Sequence, residues 1–231
     1  TIGCDRFLDP QGQPLPQPLC LGLAMAAHRE TFEETGVLLA TTANGHEVSG
    51  ESLARMHERR RAIVSQPELF ATHLQGERLR VDMRHLIYWA HWITPSIAPK
   101  RFDTRFFVAR LPPRQAATID AVEATEMVWM TPALLMAAAH DGAMTLATPT
   151  LFNLMEIDAS VRHNVALEAM FAAEVHRDTA PVLPKIVRGE RRIVVMPWDA
   201  EYHELPDGGV AREITYPERL RALPSRVSTD R

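Results

Sequence analysis

Cysteine is scarce: Cys4 and Cys20 are the two in 231 residues. They allow one disulfide at most. With no further Cys and no Cys/His cluster at ligand spacing, a reducing compartment and no zinc site are expected. Apolar runs long enough to span a bilayer are missing, as is a basic-then-apolar signal at the amino terminus, so a soluble, cytoplasmic protein without a membrane partner is expected. Positive charge is not in excess either. The 25 Lys and Arg against 29 Asp and Glu leave a net charge of −4, which removes a global field for nucleic acid. There is no Gly-rich phosphate loop of the P-loop or dinucleotide type, no G-x-S-x-G, no internal repeat and no low-complexity segment. Glutamate is absent before Glu30.

What is present is 46% hydrophobic residues, enough for a sizeable core, and a helix carrying an acidic motif. Residues 23–35 contain no Pro or Gly and are rich in Ala, Leu, Met and Glu, so they read as helix. Gly36 supplies the stop, since helices commonly end on a residue that tolerates φ > 0. Glu30 and Glu34, four apart, share one face, and Arg29 and Glu33 can pair on a neighbouring one. Adjacent carboxylates repel unless a cation lies between them, and a hard divalent ion such as Mg²⁺ takes such oxygen ligands. For an arbitrary R-E-x-x-E-E, a solvated face with one ion pair is the better reading.

The remaining chain reads as a mixture of elements. Residues 1–22 read as irregular, with a turn at Asp9-Pro10-Gln11-Gly12 and Pro14, Pro16 and Pro18 opposing regular helix. Residues 52–73 are helix-rich, and Arg59-Arg60-Arg61 within them reads as a solvated face. Strands are expected over 86–94, 102–111 and 126–130. In the second, alternation sets Phe102, Thr104 and Phe106 on one face and Arg101, Asp103, Arg105 and Phe107 on the other. Helices follow from Thr131-Pro132 to about residue 140 and over about 150–176. Strands are expected again at 185–187, 192–196 and 213–216, with a turn at Asp207-Gly208-Gly209. Such an order suits an α/β or α+β sandwich.

The order Arg29-Glu30-Thr31-Phe32-Glu33-Glu34-Thr35-Gly36-Val37 resembles the second half of the Nudix box, G-x5-E-x7-R-E-U-x-E-E-x-G-U with U aliphatic. Six of its seven specified positions match, Thr31 replacing an aliphatic residue. The Gly and Glu of the first half would fall at 15 and 21, where Leu15 and Leu21 stand. Either that half is displaced by an insertion and lies upstream, the chain beginning part-way into the fold, or the site is degenerate. Residues 26–39, Trp89-Ala90-His91-Trp92-Ile93-Thr94-Pro95 and Arg101-Phe102-Asp103-Thr104-Arg105-Phe106-Phe107-Val108-Ala109 are similar to the Nudix subfamily related to the peroxisomal coenzyme A diphosphatases, over roughly residues 24–155. An insertion within the box is common in that group.

The resemblance implies an α/β fold: a Nudix-type α/β/α sandwich with a mixed sheet. Residues 1–180 would form that domain, with a helical insertion over about 50–76, and 181–231 a C-terminal extension packed on it. It implies Mg²⁺- or Mn²⁺-dependent hydrolysis of a nucleoside diphosphate linked to another group, with coenzyme A or acyl-CoA the leading substrate. ADP-ribose, a nucleotide sugar or a dinucleotide is the alternative, and a Nudix-fold binding or regulatory module without catalysis belongs to another class. Glu30, Glu34 and Glu33 are the implied metal ligands, with Arg29 holding Glu33. For the general base, Glu123 stands first beside Glu126 and Asp103, each of which also reads as a rim charge. Arg101 and Arg105 suit substrate phosphate, or form an ion-pair ladder with Asp103. His28 and His91 lack a paired nucleophile. Trp89, Trp92 and Trp129 suit an adenine, although their strand positions favour the core. The long helices and the tail beyond Pro181 offer surfaces for a homodimer.

Overall fold

The computed structural model describes residues 4–119, 126–162, 169, 171–172, 177–188, 192–206 and 214–228. It divides into two compact units that interleave in sequence: 1–2, 16–87 and 107–129 form the first, and 3–15, 88–106 and 130–231 the second.

The first unit is built around helix α1 (Gln17–Thr35). Prolines were expected to keep residues before 23 irregular, but α1 begins at Gln17, with Pro16 at its cap and Pro18 in the first turn. There a missing N–H costs nothing and the fixed φ is already helical. The helix stops at Gly36, whose φ of 68° is left-handed and whose N–H reaches Phe32 O. Strand β1 (Ala40–Thr42) pairs antiparallel with β2 (Leu79–Val81), Ala40 opposite Val81. Between them lie α2 (Gly50–Ser65) and α3 (Leu69–Gly76). Ser49 caps α2 by accepting from the Ser52 N–H. Met56 and Ile63, seven apart and so on one face, enter a core with Phe32, Leu38, Phe70 and Leu74.

Strands β3 (Leu86–Ile93) and β4 (Asp103–Ala109) carry residues of both units. The Thr94 N–H bonds Phe102 O and the Arg110 N–H bonds His85 O, so the two run antiparallel. On the other side of β3 lies β5 (Pro181–Val182), in parallel, His91 opposite Pro181. The sheet is therefore mixed, as expected.

In the second unit α4 (Pro132–His140) starts at the Thr131 cap, and α5 (Thr148–Arg162) begins two residues before its expected start. Strands β6 (Lys185–Arg188), β7 (Arg192–Val195) and β8 (Arg226–Ser228) form an antiparallel sheet. Trp92, Phe152, Val182, Val194 and Tyr216 share its core. Residues 126–130 were expected as a strand and are not one; Trp129 is 72% exposed there. Their β-branched and aromatic content reflected local composition, with no partner strand among the described residues to satisfy the backbone. Residues 214–216 are likewise outside any strand, and the expected turn at 207–209 lies outside the described residues. Neither Cys4 nor Cys20 is free. Among the described residues no helix is long and apolar enough to cross a membrane.

Candidate functional site

Helical spacing places the acidic motif on the last two turns of α1. The Arg29 guanidinium bridges two of its carboxylates, Nη1 donating to Glu33 Oε2 and Nη2 to Glu30 Oε1. Burial opposes the charge on Arg29, but the Glu33 hydrogen bond and the two negative charges outweigh it and raise its pKa. Glu33 is buried, whereas Glu30 and Glu34 are exposed. One Glu33 oxygen, Oε1, is buried and meets no hydrogen-bond partner among the described residues. A buried carboxylate oxygen without a partner is costly, and a cation at that point would satisfy it.

Among the described residues no three His, Cys, Asp or Glu side chains come together as a ready-made metal cage. The donor set is nonetheless of the kind Mg²⁺ or Mn²⁺ takes: carboxylate oxygens, few in number, with water completing the shell. Glu33 through Oε1, with Glu30 and Glu34 on the exposed side of the helix, would hold such an ion.

The end of α1 is fastened from α2 and from the loop after β4. Arg60 Nε donates to the Glu33 carbonyl at 2.9 Å, and its other nitrogens reach Thr118 Oγ1 and Thr118 O, each at 3.0 Å. His57 Nε2–H donates to Gly36 O at 2.8 Å. The Thr118 N–H bonds Thr35 O, and the Gln115 amide exchanges two bonds with Leu38. The last carbonyls of a helix lack intrahelical partners and carry partial negative charge, so a guanidinium there satisfies both needs. This corrects the reading of Arg59-Arg60-Arg61 as a solvated face. Arg59 pairs with Glu77, Arg60 clamps α1, and only Arg61 of the three is exposed. A signal was present: Leu53, Met56, Arg60 and Ile63 follow one helical stripe, and an Arg within an apolar stripe needs a partner.

The other candidates fall as follows. His28 is buried in α1, its Nδ1–H donating to Ala24 O at 2.7 Å, and burial lowers its pKa. In the second unit buried His91 donates from Nε2 to Asp103 Oδ1 at 2.5 Å. Burial, then the nearby Arg105 charge, lowers the His91 pKa, and Asp103 offsets this in part. Arg105 pairs with Asp103 Oδ1 at 2.9 Å and donates to Leu8 O at 2.7 Å, so its guanidinium is already occupied. Arg101 bonds Thr94 O at 3.1 Å. Trp89 and Trp92 are buried, while Trp129 is not. Glu126 is exposed, and Glu123 lies outside the described residues.

Comparison with known proteins adds to this geometry. The family model described as the NUDT19 Nudix domain matches residues 6–157. The acyl-coenzyme A diphosphatase NUDT19 of Xenopus laevis is 27% identical over 199 residues, covering 79% of this chain and 51% of that protein. Its Gallus gallus namesake is 27% identical over 224 residues, covering 89% and 58%. The putative nudix hydrolase 7 of Caenorhabditis elegans is 31% identical over 133 residues, covering 58% and 43%. The chain thus spans about half the length of the curated relatives it matches. A crystal structure of a NUDIX hydrolase from Alicyclobacillus acidocaldarius aligns at TM-score 0.48 and 22% identity, over 57% of this chain and 59% of that one.

Proposed function

Because the chain belongs to the Nudix hydrolase family, by the match of residues 6–157 to the NUDT19 Nudix domain, we propose that it hydrolyses the diphosphate bond of a coenzyme A derivative with a divalent cation. The observation that carries this reading is the end of α1, where Arg29 joins Glu30 to Glu33 while Glu33 Oε1 stays buried and unpartnered among the described residues. The names of the Xenopus and Gallus relatives supply the substrate class.

A P–O–P bond resists attack because its anionic oxygens repel a nucleophile. A bound Mg²⁺ or Mn²⁺ supplies charge neutralisation and a water of lowered pKa. The protein's own share is placement. Glu30, Glu33 and Glu34 present oxygens from successive turns of one helix, so their spacing is fixed by backbone geometry. Arg29 fixes the Glu33 side chain, and Arg60 fixes the Glu33 carbonyl. Carboxylates held in this way need little reordering when the cation and substrate arrive.

The test is product analysis after incubation with coenzyme A, acyl-CoA, ADP-ribose and a dinucleotide, each with Mg²⁺. Release of 3′,5′-ADP from coenzyme A or its thioester, lost in Glu34→Gln, is the expected outcome. Cleavage of another compound keeps the chemistry and discards the substrate. Absence of metal-dependent turnover across the panel refutes the reading.

A further inference from the structure

The second unit contains a cavity of about 430 Å³ that the diphosphatase chemistry does not use. Phe102, Thr104 and Phe106, alternate residues of the β4 segment, face it together with Trp92, Ile186 and Val194. Its size falls within the roughly 300–1,000 Å³ of small-molecule sites. No acidic residue lines it among the described residues, and the one charged lining residue is Arg192. Two further cations stand beside lining residues: Lys100 Nζ lies 4.9 Å from the centre of the Phe102 ring, and Arg101 donates to Thr94 O. Phe102 is 53% exposed, so apolar surface meets solvent on this cationic side. Inside, the Thr94 hydroxyl already accepts from the Phe102 N–H. Thr104 and Thr148 line it too, but most of its lining residues are apolar, so an aliphatic chain would bury itself there at little polar cost.

We propose that this cavity takes the acyl chain of a coenzyme A thioester, an unbranched apolar chain attached to a polyanion. The choice of ligand rests on the function proposed above; the apolar lining and the neighbouring cations stand independently of it.

The experiment is calorimetric titration of the whole chain, in EDTA so that nothing turns over, with coenzyme A and its butanoyl, octanoyl and dodecanoyl thioesters. Affinity should rise by up to about fourfold for each methylene buried. Ala147→Trp fills the cavity from its rim, where Ala147 is exposed, and should flatten that rise while leaving unacylated coenzyme A bound within about twofold of the original chain. Affinity independent of chain length in the original chain overturns the assignment, and so does a steep rise that survives Ala147→Trp. Turnover with Mg²⁺ is read separately. Chain-length-dependent binding without turnover would sink the diphosphatase reading and leave the cavity's ligand standing; turnover with flat binding would do the reverse.

Discussion

Replacing Gly36 by alanine tests how α1 is terminated. At φ 68° an alanine pays the left-handed penalty, about 1–2 kcal/mol. Its Cβ would also lie 2.8 Å from Thr118 Oγ1 and 3.0 Å from Arg60 Nη1. Relief requires the Thr118 hydroxyl or the guanidinium to move, which weakens the Arg60–Thr118 bonds and adds about 0.5–1.5 kcal/mol. A total of about 1.5–3.5 kcal/mol corresponds to a fall in Tm of about 3–14 °C for a chain of this size. Gly22→Ala is the internal control. Gly22 sits within α1, and nothing lies within 4 Å of its would-be Cβ. Alanine there should stabilise by about 0.5–1 kcal/mol. Thermal unfolding followed by circular dichroism at 222 nm reads both. If Gly36→Ala melts within about 1 °C of the original chain, the account of the helix end is wrong. If both substitutions shift Tm in the same direction, the account is also wrong.

Arg60→Met keeps the apolar stripe of α2 but removes the clamp, and should speed amide exchange over residues 33–38 and cost about 1–2 kcal/mol; unchanged exchange would contradict the clamp. Arg29→Lys keeps the charge but cannot bridge two carboxylates, so kcat should fall about 10–100-fold, and an unaltered kcat would remove Arg29 from the placement of Glu33. EDTA should abolish turnover and added Mg²⁺ restore it, and activity that persists in chelator would rule out metal dependence. Burial holds the pKa of His28 and His91 below the ordinary value of about 6.5. The folded chain then binds fewer protons than the unfolded one, so stability is full above about pH 6.5 and declines as pH falls towards the depressed folded values. Urea midpoints at decreasing pH should show this decline and His28→Gln should shallow it; a wild-type midpoint that rises on acidification would have the wrong sign.

The acidic motif was legible because helix periodicity and a glycine stop are local properties, readable from residues 23–36 alone. The strands at β3, β4, β6 and β7 were legible for a similar reason, being rich in β-branched and aromatic residues. What escaped reading depends on partners distant in sequence. Strands β2 and β5 are three and two residues long, too short for any period to show, and exist because β1 and β3 pair with them. Residues 126–130 have strand composition without a strand to join among the described residues. Pro18 was read as a breaker because its place in the first turn is visible only once the helix start is known. Arg60 was hidden by its neighbours: three consecutive arginines suggest a uniform charged face, but a helix sends them in directions about 100° apart. That motif residues share one helix could be read; that Glu33 is buried and Glu30 exposed could not.

The Arg60 contact also bears on portability. Glu33 is gripped twice, its side chain from within α1 and its main chain from α2. Residues 17–37 transplanted alone onto another scaffold would bring the first grip and leave the second behind. For a protein engineer α2 is therefore not trim that can be shortened freely. Its tolerance to sequence drift is divided by face: Arg61 can vary, while His57 and Arg60 travel with the helix they hold.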